Sequence, residues 1–427
     1  MKEILRNSTT GTYSPLFQLP SLLVLLIFSL GAHAQNKMQL SIDQAIQMAL
    51  NGNLNLKASN LDIKASQSLM KTASELPKLD LNAQLGQYNS THFDQSYQVS
   101  QTIPFPTLFG ARKQLINAEI KGKQLQRELT VLELKSQVRS YYYQILYLRH
   151  NHQQLKQLDS LYTDFIRIAR LRYKTGDTKK VDVSTAQAKQ GEINLLLKQN
   201  EVYLASAHTS LAALLNTKED FELLGPNAFV PLQINQLLDS AAVASHPAVQ
   251  SFYQQALIAA RSKKVEKSQG LPDITLGYVN QSLIGFQTVN GTETYFGAGN
   301  RFSSVNIGLA IPLTFGANKA RVRSLDYSQQ AAEANAQQQQ KNLMAQMQNA
   351  LLQYQQDMKQ YQYFVNDALP NAKEILAAAQ LGYKTGDASY LEYLYALQTA
   401  TDIQLNYLKS IQQVNQSVIN IYAIINQ

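Results

Sequence analysis

The sequence predicts a mixed α+β chain in which long helical hairpins alternate with pairs of short amphipathic strands, the whole pattern written twice. Three observations carry this. The stretch LRYKTGD, Leu171–Asp177, returns as LGYKTGD, Leu381–Asp387. Apolar residues recur at helical spacing over very long stretches, and no Pro or Gly interrupts Lys123 to Tyr173. Shorter segments alternate polar and apolar residues with period 2, the mark of a strand with two unlike faces.

The N-terminus reads as an export leader. Lys2 and Arg6 give a basic start, Leu22 to Leu30 an apolar core, and Ala32-His33-Ala34 a small-residue cleavage site before Gln35. The apolar run is too short to span a bilayer, which takes about 20 residues. No Cys follows the site, so lipid attachment there is excluded. Beyond Gln35 no apolar run is long enough for a membrane helix, so membrane entry would have to be as a β-barrel.

Two repeats are expected after the leader (residues 1–34), over 35–230 and 231–427. Each opens with a helical stretch, Ile42 to Ser74 and Gln236 to Ser268, followed by a Leu-Pro step at Leu76-Pro77 and Leu271-Pro272. Two alternating segments follow, ending at Ile103-Pro104 and Ile311-Pro312, and then LFGARK (Leu108–Lys113) answers TFGANK (Thr314–Lys319). A long helix, the YKTGD turn and a returning helix, from about Val181 to Leu215 and Tyr390 to Ile425, complete each copy.

The long helix from Arg112 to Arg172 would run roughly 90 Å at 1.5 Å per residue. Leu155, Leu158, Tyr162 and Phe165 form one stripe, and Leu161 with Ile168 a second, which suits a helix packed between two neighbours. The glutamine-rich run 337–356 keeps Leu343, Met347, Ala350, Leu351 and Tyr354 at helical spacing and reads as a polar-faced helix. In the strands, Leu79, Leu81, Ala83 and Leu85 oppose Asp80, Asn82, Gln84 and Gly86. Val305, Ile307, Leu309, Ile311 and Leu313 oppose Asn306, Gly308 and Ala310, while Gln101 and Asn280 break the pattern in their segments. Such a sheet fits either a half-buried soluble sheet or a barrel wall. Four strands are too few to close a barrel. A membrane sheet would therefore need several chains to share one barrel, because open edges do not survive in lipid.

With 45% hydrophobic and 16% charged residues, the chain is not of disordered composition. It has no Cys, which rules out disulfides and thiolate metal sites. Its formal charge of +8 is spread along the chain and is not a nucleic-acid footprint. No catalytic or cofactor constellation emerges. His150 and His152 lie two apart on different helix faces, Gly297–Arg301 (GAGNR) suits an extracellular hairpin loop, and KTGDTKK lacks P-loop spacing.

Over nearly the whole mature length, the order helix, two strands, long helix, turn, long helix, with the tips RYKTGD…VDV (Arg172–Val183) and GYKTGD…LEYL (Gly382–Leu394), resembles the TolC-like outer-membrane efflux proteins. QTIPFPTLFGARKQ (Gln101–Gln114), QVRSYYYQILYL (Gln137–Leu148) and the YKTG tips resemble its heavy-metal (CzcC/CusC-like) branch, partner of RND pumps. The resemblance implies a membrane α+β homotrimer. Three chains would supply twelve strands to one outer-membrane β-barrel, continued by a periplasmic α-helical coiled-coil tunnel. It implies a passive exit duct, not an enzyme, with no cofactor, serving an inner-membrane RND pump through a periplasmic adaptor. A type I secretion conduit and a soluble periplasmic coiled-coil scaffold are the rival readings.

The tips then acquire roles. Tyr173, Lys174, Thr175, Gly176 and Asp177, and Tyr383, Lys384, Thr385, Gly386 and Asp387, would meet the adaptor. Gly176 and Gly386 permit the reversal, with Asp177 and Asp387 able to start the next helix as N-caps. The family's gate maps onto Asp182 and Tyr383, expected to hydrogen-bond, and onto Glu392, expected at a constriction. Ala388 and Tyr395 depart from the family pattern.

Overall fold

A computed structural model describes residues 38–225, 228–234, 240–313 and 315–425. The expected leader, Thr314 and the start of the second helical stretch at Gln236 lie outside the described residues.

The first expected helical stretch divides at Asn53. A short strand β1 (Met38–Leu40) precedes α1 (Ile42–Gly52) and α2 (Leu54–Ser68), and a 3₁₀ turn, Leu69–Ser74, ends the stretch. Asn53 is extended, and its N–H closes α1 on the Ala49 carbonyl. Its side-chain oxygen accepts from Asn55 N at 2.9 Å, so one residue caps both helices. Ser41 and Gln44 close a reciprocal capping box at the start of α1.

Four antiparallel strands form one sheet in the order β2 (Asp80–Gly86), β3 (Asp94–Ile103), β5 (Asp273–Ser282) and β8 (Arg301–Ala310). Its register aligns the alternation across strands. Leu81, Val99, Tyr278 and Val305 form one row, and Leu276 with Ile307 part of the next. Among the described residues nothing packs against this apolar face, Val305 being 73% and Ile307 75% exposed. β2 and β8 are edge strands with no further partner among the described residues. The loop between β5 and β8 carries its own hairpin, β6 (Gly285–Val289) and β7 (Thr292–Phe296), turned by Asn290-Gly291 at φ 53° and 80°. Positive φ at both central residues is what the Asn-Gly pair permits.

From the sheet the chain runs into α3 (Thr107–Thr175), 69 residues and about 100 Å long, and returns through α4 (Lys180–Leu215). Strand β4 (Phe221–Leu223) pairs in parallel with β1. In the second half, α5 (Ser240–Ser245) and α6 (Pro247–Gln269) precede β5. α7 (Phe315–Tyr363), which contains the glutamine-rich run, α8 (Leu369–Thr385) and α9 (Tyr390–Ile424) follow β8. A π turn, Phe364–Ala368, joins α7 to α8. Pro370 explains it: proline lacks an N–H and crowds the carbonyl four residues back, and the wider turn absorbs both.

α3 packs against α4, α6 and α9, and α7 against α6 and α9. One core gathers α1, α3, α4 and the β1–β4 pair around Val138, Tyr142, Ile145 and Leu211. There the Tyr142 hydroxyl is shared between the carbonyls of Leu40 and Leu224, and burial pushes its pKa up to about 12. A second core lies toward the turns and contains the whole expected stripe Leu155, Leu158, Tyr162 and Phe165. The second stripe departs from expectation: Leu161 is exposed and Ile168 only partly buried, because near the turns α4, α8 and α9 pack on the Leu155–Phe165 stripe. No helix of the described residues is long and apolar enough to cross a membrane.

Candidate functional site

The two YKTGD turns share one backbone solution. Gly176 ends α3 at φ 86° and Gly386 ends α8 at φ 92°, both left-handed. In each, the threonine hydroxyl donates to the aspartate across the glycine at 2.7 Å, Thr175 to Asp177 and Thr385 to Asp387. The two aspartates are therefore turn braces and not the expected N-caps, because the helices begin later, at Lys180 and Tyr390. Ser389 caps α9 in a reciprocal box with Glu392, and the Ser389 N–H holds the Glu392 carboxyl below the usual carboxylate range. Asp182 accepts from Lys179 N at 3.1 Å and from the Thr178 hydroxyl at 2.7 Å, but Lys179 has no acceptor to return the bond.

The environments of the two turns differ. Tyr173 is 46% exposed, whereas Tyr383, at the same place in its turn, is 3% exposed. Tyr383 is covered by Arg172 on top of its packing against Phe165, Tyr390 and Tyr393. The Arg172 guanidinium lies 4.1 Å from the Tyr383 ring centre and donates to the Tyr383 carbonyl at 2.8 Å. The second turn has Gly382 where the first has Arg172. A Cβ at Gly382 would meet that of Ala388 at 3.0 Å, and the Gly382 carbonyl accepts from both Gly386 N and Ala388 N.

An aromatic cluster locks this contact in place. Phe165 stacks on Tyr390 at 4.9 Å, and Tyr383 stacks on Tyr393 at 5.1 Å. The Tyr390 hydroxyl donates to the Asp182 carbonyl, tying α9 to α4. The expected hydrogen bond between Asp182 and Tyr383 is not formed: the Asp182 carboxylate is taken by its own turn, and among the described residues the buried Tyr383 hydroxyl has no partner of hydrogen-bond geometry, the Arg172 guanidinium being its nearest charge. Burial raises the Tyr383 pKa, against the pull of the Arg172 charge.

Of the ten expected docking residues, Tyr383 is thus packed inside, and the other nine are exposed. Beside them a cleft of about 500 Å³ between α3 and α4 is lined by Arg167, Arg170 and Lys174. Glu392 and Leu391 are exposed, and Leu394 is buried in the core. Tyr393 belongs to no role assigned from the sequence, and Arg172, Phe165 and Tyr390 enter there only as parts of the tip motif, the helical stripe and the returning helix. Their signal is the density of aromatics in YLEYLY (Tyr390–Tyr395) and the one position, Arg172 against Gly382, at which the two tip motifs disagree. No group of three His, Asp or Glu among the described residues is placed to hold a metal ion.

Residues 45–217 and 238–427 match the family profile described as outer membrane efflux protein. Over 403 residues the chain is 24% identical to the cobalt-zinc-cadmium resistance protein CzcC of Cupriavidus metallidurans, covering 91% of this chain and 90% of that one. Its fold is similar to that of CusC, solved in work on folding and transmembrane channel formation (TM-score 0.76, 16% identity, 96% and 98% covered). It is also similar to the open-state MtrE outer membrane channel of Neisseria gonorrhoeae (TM-score 0.74, 17% identity, 90% and 88% covered).

Proposed function

The chain belongs to the outer membrane efflux protein family, and from that premise we propose that three copies assemble into one exit duct for heavy-metal cations, driven from the inner membrane. As a family member it is a channel protein of the outer membrane that reaches into the periplasm, and not an enzyme. The observation that carries the trimer is the open sheet. Four strands with an exposed apolar face and two unpaired edges cannot stand alone in lipid, and closure with other copies removes both edges. α3, about 100 Å, continues the first strand pair and α7, about 75 Å, the second, both long enough to carry a tunnel well beyond a bilayer of about 30 Å.

In this reading the repeated tips face the periplasm. The exposed residues Tyr173, Lys174, Thr175, Gly176, Asp177, Lys384, Thr385, Gly386 and Asp387 meet a periplasmic adaptor, which couples the duct to an RND pump. The basic cleft at Arg167, Arg170 and Lys174 supports a partner with acidic groups. Arg172 holds the two hairpins of one copy together and so favours the closed tip. Glu392, exposed near the tip, approaches its two symmetry mates at a constriction and favours cations.

The cargo assignment rests on the resemblance to a cobalt-zinc-cadmium resistance protein along nine-tenths of both chains. Deletion of the gene should lower tolerance to zinc, cobalt or cadmium, and the wild-type chain should restore it. Unchanged metal tolerance together with loss of a secreted protein would favour the type I secretion reading.

A further inference from the structure

We propose that Arg301, with the side chains that hold it, is a binding site for a phosphate-bearing lipid headgroup on the outer wall of the sheet. This rests on the reading of the sheet as a barrel wall. The exposed face changes character at one level across three strands. The row Val99–Tyr278–Val305 ends the apolar band, the next row is Tyr97–Asn280–Ser303, and Ser282–Arg301 follows. That boundary lies at the end of the sheet away from the helices, since Ile103 and Ala310 lead into α3 and α7. In the proposed orientation it is the headgroup zone of the outer leaflet.

Arg301 is held in this zone from three sides. Its Nε donates to Asn280 Oδ1 at 2.7 Å, and its Nη2 to the Asn280 carbonyl at 2.9 Å. Its guanidinium carbon lies 5.3 Å from the Tyr97 ring centre. Asn280 is itself fixed, donating to Ser303 Oγ at 3.0 Å, and the same oxygen pairs with the Tyr278 hydroxyl at 2.9 Å. No carboxylate among the described residues forms an ion pair with Arg301. The outcome is an oriented cation with a free Nη1 and no counter-anion at the edge of an apolar surface. A charge on a lipid-facing wall is tolerated near the interface, and with Nε and one N–H of Nη2 spent on Asn280, Nη1 and the second N–H of Nη2 leave the end edge of the guanidinium for phosphate oxygens.

Inorganic phosphate carries the same anion, but only a lipid can also lay acyl chains on Val99, Tyr278 and Val305, which lie on the same face one row beyond Asn280 and Ser303. The lipid is therefore the ligand. The two sources are separated by titrating the detergent-extracted full assembly with phosphatidic acid, with diacylglycerol of the same chains, or with inorganic phosphate, and reading retained lipid by native mass spectrometry. The wild type should retain phosphatidic acid about tenfold over diacylglycerol, and inorganic phosphate should not displace it. Arg301→Gln should bring the two lipids close to equal. Tyr97→Leu, which keeps the charge and removes the stacking surface, should lower the preference by a smaller factor. Undiminished preference in Arg301→Gln, or full displacement by inorganic phosphate, overturns the site. If the wild type never enters the membrane fraction, the barrel reading falls and this site with it. If it enters but shows no preference, the site alone falls.

Discussion

The Arg172 guanidinium sits over the ring of Tyr383 at 4.1 Å while donating to the same residue's carbonyl at 2.8 Å, joining two hairpin tips 211 residues apart in sequence. Both contacts are part-buried, and together they are worth about 1.5 kcal/mol after solvent screening, or about tenfold in a closed-to-open ratio. Arg172→Ala should therefore raise opening frequency in planar bilayers about tenfold, with Arg172→Lys intermediate. An Arg172→Ala channel as quiet as the wild type would show that the contact does not restrain the tip.

Tyr383→Phe tests the other half of the contact. The ring and carbonyl do the work, and among the described residues the buried hydroxyl has no partner of hydrogen-bond geometry, so its loss should be neutral or slightly stabilising. Tyr383→Leu, which removes the ring, should behave like Arg172→Ala. Frequent opening in Tyr383→Phe would instead restore the hydroxyl, and its reach toward Asp182, as the restraint.

Gly176→Val and Gly386→Val should each strain the tip by about 1–3 kcal/mol, because both glycines hold left-handed φ. A Cβ at either meets nothing within 4 Å, so the cost is in the backbone alone and Asn should be tolerated better than Val. Metal tolerance should fall in the Val variants while assembly is kept. Wild-type tolerance in both Val variants would remove the tips as a docking surface.

Glu392 separates charge from structure. Its folded pKa is lowered from 4.5 by the Ser389 N–H, so its capping contribution is complete above that value and is lost as pH falls through the lower folded one. Amide protection at 390–394, the observed exchange rate taken relative to the intrinsic rate at each pH, should fall between pH 7 and pH 3 in the wild type and not in Glu392→Gln, whose amide oxygen still accepts. The same variant should lower cation preference with the tip intact. Unaltered selectivity would mean that Glu392 is a helix cap and nothing more.

Ile307→Lys and Asn306→Lys, one residue apart, face opposite sides of the sheet. On the apolar side a lysine costs about 2–4 kcal/mol near the bilayer midplane, whereas on the polar side it is tolerated. Ile307→Lys should fail to assemble in the outer membrane and Asn306→Lys should assemble. The reverse order would invert the face assigned to lipid.

Much of this was legible in the sequence. Period-2 alternation from Val305 and the 3–4 stripe at Leu155–Phe165 identified the elements, although β8 ends at Ala310, before Ile311 and Leu313, and Gly176 and Gly386 marked the reversals. Helix breaks were harder to read, because Asn53 suits a helix interior nearly as well as a cap until its neighbours are fixed. The Asn290-Gly291 hairpin did carry a signal that went unread. The Arg172–Tyr383 contact left only an indirect trace, the single mismatch of Arg172 against Gly382 between the two turns. It joins two repeats, and the near-identity of the YKTGD motifs conceals that Tyr173 faces solvent while Tyr383 is buried.

The central claim is that β2 of one copy closes against β8 of the next in a ring of three. The chain has no cysteine, so introduced pairs report without background. Single cysteines along β2, from Leu81→Cys to Leu85→Cys, combined with single cysteines along β8, from Ser303→Cys to Ile307→Cys, should be oxidised in isolated outer membranes. One register brings Cα atoms within about 4.4–6.8 Å of each other, the range that admits a disulfide. The account predicts that at this register the covalent ladder stops at three copies. Monomers at every register, or a ladder that runs past three, would contradict it.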